Sequence, residues 1–487
     1  MLLDEACKTG NLKKVKEFLK KDTQLTLNET SKKGETAFYI ACSQNHIKII
    51  KYMINNKKID VNKTNNKGYT PFAIACEKGH FKTVQYMMFN EKIDVNKSNN
   101  NGDTPFAIVC KKGNFETVKY MMSNEKIDVN KSNNRGDTPF AIVCYYGYSN
   151  IVEYMMNDKR IDVNKCNIFE MTPFAIACSN GFLDIIKYMI NDQRINIDSV
   201  DKYGNTPFAS ACREGKLNII EYMINDERID VNKSNYNGET PFIHSHSDLD
   251  IIKYMMNNKR IDLNKTDMDG NTCFAINCRY GDLNIIKYMM NDKRININTV
   301  NKDGDTPFAI VCYYGYSNII KYMMNDERID FNKENIDGET PFNIVCNEKK
   351  YYSGWRLVMP NYQEIIKYMI NDARININKT NKQGNTPFVN LCINKQFQYI
   401  ESCPNFNLNN IKYLLLSRRY NNLNFKNIYF SEKINNLLNE YDKDPLKFEK
   451  KYREELNIKN MSKNTLFLFD CADGNIDNIQ KLLKKNK

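Results

Sequence analysis

Thr70-Pro71-Phe72-Ala73-Ile74-Ala75-Cys76-Glu77-Lys78-Gly79-His80 decides the fold, because its opening does not occur once. Thr-Pro-Phe returns at Thr104, Thr138, Thr172, Thr206, Thr240, Thr306, Thr340 and Thr386, with Thr-Ala-Phe at Thr36 and Thr-Cys-Phe at Thr272. The interval is 34 residues, shortened to 32 between Thr240 and Thr272 and lengthened to 46 between Thr340 and Thr386. A prior of roughly 150 residues per domain would cut the 487-residue chain into about three globular domains. A fixed period overrides it: each unit buries its apolar face only against its neighbours, as in a solenoid.

The unit from Thr70 to Asp103 reads in three pieces. Thr70 suits an N-cap and Pro71 the first helical position, so a short helix carries Phe72, Ile74, Ala75 and Cys76 until Gly79 ends it. A second helix from Phe81 to about Phe89 places Val84, Met87 and Met88 on one face, with Asn90 expected in a left-handed cap. Ile93-Asp94-Val95-Asn96 and the turn Asn101-Gly102 read as a β-hairpin leading to the next threonine.

Thr-Pro-Phe-Ala-Ile-Ala at 70–75, Gly79-His80 and Ile93-Asp94-Val95-Asn96 resemble the ankyrin repeat, with Phe for the family's Leu, Ala for its His, and one extra residue before the hairpin. The resemblance covers nearly the whole chain. It implies an α-helical repeat solenoid of helix-turn-helix units plus β-hairpins, about 13 units including degenerate caps. Ala6-Cys7-Lys8-Thr9-Gly10-Asn11-Leu12 and Cys471-Ala472-Asp473-Gly474-Asn475-Ile476 match the junction between the two helices of a unit. The expected organisation is therefore a capping unit over 1–35, the array over 36–427 with insertions at 347–362 and 393–409, a helical insertion over 428–464, and a second cap over 465–487. Residues 304–319 are identical to 136–151, the trace of an internal duplication.

Composition narrows the classes. Hydrophobic residues at 41% and charged residues at 26% are those of a globular protein, and no apolar run approaches the roughly 18 residues of a membrane helix. The reading is a non-secreted, non-membrane, intracellular chain, cytoplasmic first, with the nucleus and a host-cell cytosol left open. The net charge of +12 invites a nucleic-acid reading, but it divides into +9 over 1–137, −7 over 138–339 and +10 over 340–487. A single cationic stripe is what duplex binding favours, so solvated charge is the reading preferred.

Candidate chemistry is thin. Twelve of the fifteen cysteines share one repeat position, among them Cys42, Cys76 and Cys110; units stacked roughly 8–10 Å apart hold their Cα atoms beyond the ~7 Å reach of a disulfide. They are expected to be free core thiols in a reducing compartment. A zinc site would need His244 and His246 to converge with Cys212, Cys273 or Cys278, and Cys212 and Cys278 are each about a layer away. No phosphate loop, nucleophile elbow or metalloprotease motif occurs, so neither enzyme activity nor a cofactor is expected. The tyrosine column from Tyr52 to Tyr413, one per unit, is assigned to core packing rather than base stacking.

Surface that varies between units is then the functional candidate. By the resemblance, partners are read at the hairpin tip and the exposed end of the first helix. The candidates are Tyr145, Tyr146, Arg213, Arg279, Tyr280, Tyr313 and Tyr314 at helix ends, and Ile168, Phe169 and Met171 in a finger that lacks the usual glycine. Tyr351, Tyr352 and Trp355 are those of the first insertion. The function expected is a non-catalytic protein-binding scaffold or adaptor, monomeric, with a protein partner. The rivals are a ubiquitin-ligase adaptor working through 428–464 and a nucleic-acid-associated protein using the basic ends.

Overall fold

The computed structural model describes residues 2–21, 27–347, 362–393 and 432–444, with 447, 448 and 451. The chain divides into two compact units: residues 1–245 with 257–261, and residues 246–256 with 262–487. Within each, paired helices repeat at the period of the threonines.

The described first helices that follow a repeat threonine share one cap. In the helix Pro71–Glu77 the Thr70 hydroxyl accepts the Ala73 amide at 3.0 Å and Pro71 fills the first turn, where its missing N–H costs nothing. The same cap recurs at Thr36, Thr104, Thr138, Thr172, Thr206 and Thr240, and in the second unit at Thr272 and Thr306. Phe two residues after the threonine is sealed from solvent from Phe38 to Phe342, as in Phe72, Phe140, Phe174 and Phe308. First helices pack side by side in a row, and each second helix covers its own partner. The Val/Ile and Met positions of the second helices, such as Val84, Met87 and Met88, close the other side of the core.

The finger is not a β-hairpin. Among the described residues there is no strand. Asn65 Oδ1 accepts the amides of Lys67 (3.0 Å) and Tyr69 (2.9 Å), an Asx turn that closes the tip without a ladder. The Ile-Asp-Val-Asn segment bonds to the next repeat instead. Asn62 Nδ2 donates to the Lys92 carbonyl at 2.7 Å while its Oδ1 accepts the Asp94 amide at 2.9 Å, and Asn96, Asn130 and Asn164 repeat the bridge. Ile-Asp-Val-Asn is a turn rather than a strand, closed by the Asn amide on the Asp carboxylate two residues before it, and its asparagines form a spine between units.

Two further expectations give way. Asn90 is not left-handed; among the described residues only Asn45 and Glu170 are non-glycines with positive φ. The tyrosine column is not core either. Tyr52, Tyr188, Tyr222 and Tyr368 are exposed, and lysines from the preceding second helix lie over the rings, Lys16 over Tyr52 at 5.4 Å and Lys187 over Tyr222 at 5.9 Å. The methionines beside them are the buried partners.

The tetrapeptides Asp-x-Arg-Ile after the second helices form clamps. Arg160 donates to the Met122 carbonyl at the end of the preceding second helix (2.6 Å) and to Asp158 (2.6 Å), so a cation meets the negative end of a helix. Arg194 with Asp192, Arg294 with Asp292 and Arg328 with Asp326 do the same. The hydrogen bond from each arginine, before any other cause, holds Asp158, Asp192, Asp226, Asp292 and Asp326 below the usual carboxylate range. A depressed folded pKa stabilises above the unfolded value of about 3.9 and is lost as pH falls through the folded value. The urea midpoint is therefore expected to drop below about pH 4, and D158N/D192N/D226N to show a shallower drop than the wild type. Parallel curves would remove the clamps from the acid response.

Residues 241–244 form a first helix of a single turn, Pro241–His244, where two residues of the period are missing. The helix Glu432–Lys443 lies in the 428–464 segment, with Phe448 edge-on to Tyr441 at 5.3 Å; residues 465–487 lie outside the described residues.

Candidate binding surface

The surface begins at the junction between the two helices of a repeat. The helix Pro139–Tyr146 buries Phe140, Val143 and Cys144 and stops at left-handed Gly147, which leaves its last two side chains in solvent. Tyr145 is 56% exposed, and its ring meets Tyr146 edge-on at 5.2 Å. Tyr146 in turn stacks on Tyr148 at 5.9 Å, and the Tyr148 hydroxyl donates to the Lys111 carbonyl of the preceding helix end at 3.3 Å. His46 and His80 use the same position to reach Lys8 and Ser43 carbonyls at 3.1 and 3.0 Å. An aromatic helix end is thus held from two sides.

Facing it is the Ile168–Met171 finger. Here Glu170 takes the left-handed conformation (φ 59°) that glycine supplies in the fingers beside it, at a cost of about 1–2 kcal/mol for a residue with a Cβ. Tyr145, Tyr146, Phe169 and Met171 converge, with Ile142 and Ile176 at the floor, around a concavity of about 670 Å³. Its rim is charge-balanced: Lys111 and Arg135 against Asp103 and Asp137. Ile168 lies outside the concavity at the fingertip, 60% exposed. Cys166 beside it is exposed, and its thiol donates to the Asn164 carbonyl at 3.5 Å.

The fingertips continue the apolar surface in a way the sequence reading missed. Ile168 N bonds to Arg135 O, Lys202 N to Phe169 O and Tyr236 N to Tyr203 O, each at 3.0 Å, so consecutive tips are locked in register. Tyr203 and Tyr236 are 54% and 60% exposed, and Lys202 spans the gap over the rings of Phe169 (4.5 Å) and Tyr203 (4.9 Å). In the earlier fingers the tip residue is Asn66, Asn100 or Asn134, whose carboxamides each donate to the preceding finger at 2.9–3.0 Å. Ile168 and Tyr236 forgo that bond and expose carbon instead. Superposing the fingers on the 34-residue period would have revealed the stripe.

The other candidates separate. Arg279, Tyr313 and Tyr314 line a second concavity of about 300 Å³, in the other compact unit. Tyr280 is outside it, stacked on His246 at 4.9 Å. Arg213 pairs with its neighbour Glu214 at 3.1 Å and joins neither concavity. Tyr351, Tyr352 and Trp355 lie outside the described residues. Tyr362, at the end of the first insertion, is buried and donates its hydroxyl to the Tyr313 carbonyl at 2.9 Å, the bond that Tyr316 makes to Arg279 at 3.0 Å. It restores the repeat register after the insertion.

The buried thiols are poor nucleophiles, since burial pushes Cys7 up to about 12 and Cys42, Cys76, Cys110 and Cys312 higher still. His244 bonds Asn205 Oδ1 at 3.0 Å, and the described residues bring no three His, Cys, Asp or Glu side chains together as a metal site. No described helix is long and apolar enough to cross a membrane.

Among curated proteins none matches the chain. The family model for ankyrin repeats, in three copies, matches residues 3–99, 87–167, 159–235 and 274–359, well over half of the sequence. With helix pairs stacked in period and an asparagine spine between them, the chain belongs to the ankyrin-repeat family, whose members are generally protein–protein interaction modules.

Proposed function

We propose that the chain is a non-catalytic protein-binding scaffold, and that the first unit holds its partner between the Tyr145–Tyr146 helix end and the Ile168–Phe169–Tyr203–Tyr236 fingertips. The observation that carries this reading is the trade made at the tips. Asn66, Asn100 and Asn134 each contribute an inter-finger hydrogen bond, worth about 0.5–1.5 kcal/mol net; Ile168 and Tyr236 give it up for exposed apolar surface. Sequence features that cost stability without a packing gain are those a binding role explains. Tyrosine and phenylalanine over an amide-rich concavity are also the composition from which interface hot spots are drawn.

The free thiols fit a reducing, intracellular setting, and the scaffold reading takes the chain as a monomer. Affinity capture from cells that make the protein, followed by mass spectrometry, should recover a partner that the Tyr146→Ser/Phe169→Asp variant loses, with the melting temperature within a degree or two of wild type. Retention of the same partner by that folded variant would move the interface elsewhere.

A further inference from the structure

The duplicated segment offers a controlled comparison. Residues 136–151 and 304–319 are identical, and both build the same aromatic helix end: Tyr313 meets Tyr314 edge-on at 5.3 Å, and Tyr314 stacks on Tyr316 at 5.8 Å. What differs is the rim supplied by neighbouring repeats and the depth of the rings: Tyr313 and Tyr314 are half-buried where Tyr145 and Tyr146 are exposed. Around the first copy two cations balance two carboxylates. Around the second, Arg279 faces Asp303, Asp305, Asp337 and Glu339.

We infer that the Tyr313–Tyr314 groove binds an extended protein segment carrying adjacent arginine side chains. This goes beyond the scaffold reading, which rests on the other groove. Two of the four carboxylates are already engaged, Asp305 by the Asn335 amide at 3.0 Å and Glu339 by the Asn347 amide at 3.0 Å. Asp303 and Asp337 are exposed at successive fingertips and make no ion pair among the described residues; Ile336 N bonds Asp303 O at 2.9 Å, which holds the two tips in register. Burial first, opposed by the Asn335 hydrogen bond and helped by the charges of Asp303, Glu339 and Asp337, raises the Asp305 pKa.

A guanidinium suits this site better than an ammonium. Its planar face stacks on the tyrosine rings while its fork engages a carboxylate in two bonds. Exposed Ile336 supplies apolar contact for the side-chain stem. Four carboxylates against one guanidinium in the lining attract a cationic segment and disfavour a phosphate backbone.

Fluorescence anisotropy of labelled octa-arginine with the full chain tests this. Binding is expected at 0.1 M salt, weakening as salt rises. D303N/D337N should lose about tenfold in affinity, the effect of two partly exposed ion pairs. The charge-matched control E116Q/D184N, on exposed second-helix positions of the other unit, should bind as wild type does. Should D303N/D337N melt early, the single change Asp337→Lys decides, expected to weaken octa-arginine by more than Asp337→Asn does. The Tyr146→Ser/Phe169→Asp chain should keep full octa-arginine binding, which separates this site from the partner surface above. No binding, an unchanged affinity in D303N/D337N, or an equal loss in the control would overturn the assignment.

Discussion

Phe174→Ala should cost about 4 kcal/mol and split the unfolding of the chain into more than one step. Phe174 is fully buried on the helix Pro173–Asn180, which packs between the helices Pro139–Tyr146 and Pro207–Arg213. Removing the ring leaves a cavity shared by three repeats, and neighbouring rows of helices hold it open. A stack of repeats has only nearest-neighbour contacts, so a loss at one layer weakens two interfaces and spares the rest. Total stabilities of domains are about 5–15 kcal/mol, so the weakened layers should open at lower urea than the remainder. Circular dichroism against urea should resolve an early phase in Phe174→Ala. Tyr188→Ala, on the exposed side of the same repeat, should shift the midpoint by less than 1 kcal/mol equivalent. A single transition at the wild-type midpoint in Phe174→Ala would mean that the phenylalanine column is not the element that couples the repeats.

That column was legible because its constraint is local and periodic. Thr, Pro and Phe each act on their own helix, as cap, first-turn residue and core anchor, and the 34-residue spacing repeats all three. The finger was misread for the opposite reason. Ile93-Asp94-Val95-Asn96 followed by Asn101-Gly102 has the local grammar of a hairpin, yet the partners of Asn62 and Asn96 lie 30 and 32 residues along, in the next repeat. Only stacking shows them. The Asp-x-Arg clamps were invisible in the same way: two charges two residues apart look like a solvated surface until the arginine finds a helix end 38 residues earlier.

The tyrosine column has helical spacing but sits one face away from the methionines, where a lysine rather than a core covers it. Of the candidate site, Tyr145, Tyr146, Phe169 and Met171 were legible as departures from their own columns and do converge. Tyr203 and Tyr236 were not singled out, because exposure of an isolated tyrosine carries no signal until neighbouring tips are seen to carry them in a row.

Gly147→Ala should destabilise by about 3 kcal/mol, well beyond the same change at Gly79. Both glycines end a first helix in the left-handed region, at φ 77° and 69°, so both pay about 1–2 kcal/mol for adding a Cβ there. The surroundings differ. A Cβ at Gly79 would find its nearest neighbour, Asn114 Nδ2, at an ordinary 3.7 Å, whereas one at Gly147 would lie 2.5 Å from Phe182 Cε1 and 2.7 Å from Cδ1. The ring of Phe182 cannot simply swing away: it begins the second helix Leu183–Met189 and sits where His46, Tyr148 and Tyr316 pack over the preceding repeat's glycine. Overpacking of this kind costs about 1–3 kcal/mol on top of the backbone strain. A double-mutant cycle separates the two contributions. Phe182→Ala removes the clash but not the strain, so Gly147→Ala in that background should cost only what Gly79→Ala costs, with a coupling of about 1–2 kcal/mol between residues 147 and 182. Urea midpoints of the four proteins give the cycle directly. Equal costs of Gly147→Ala with and without Phe182 would show that the helix end bearing Tyr145 and Tyr146 is set by backbone conformation alone, with no part played by the ring beneath it.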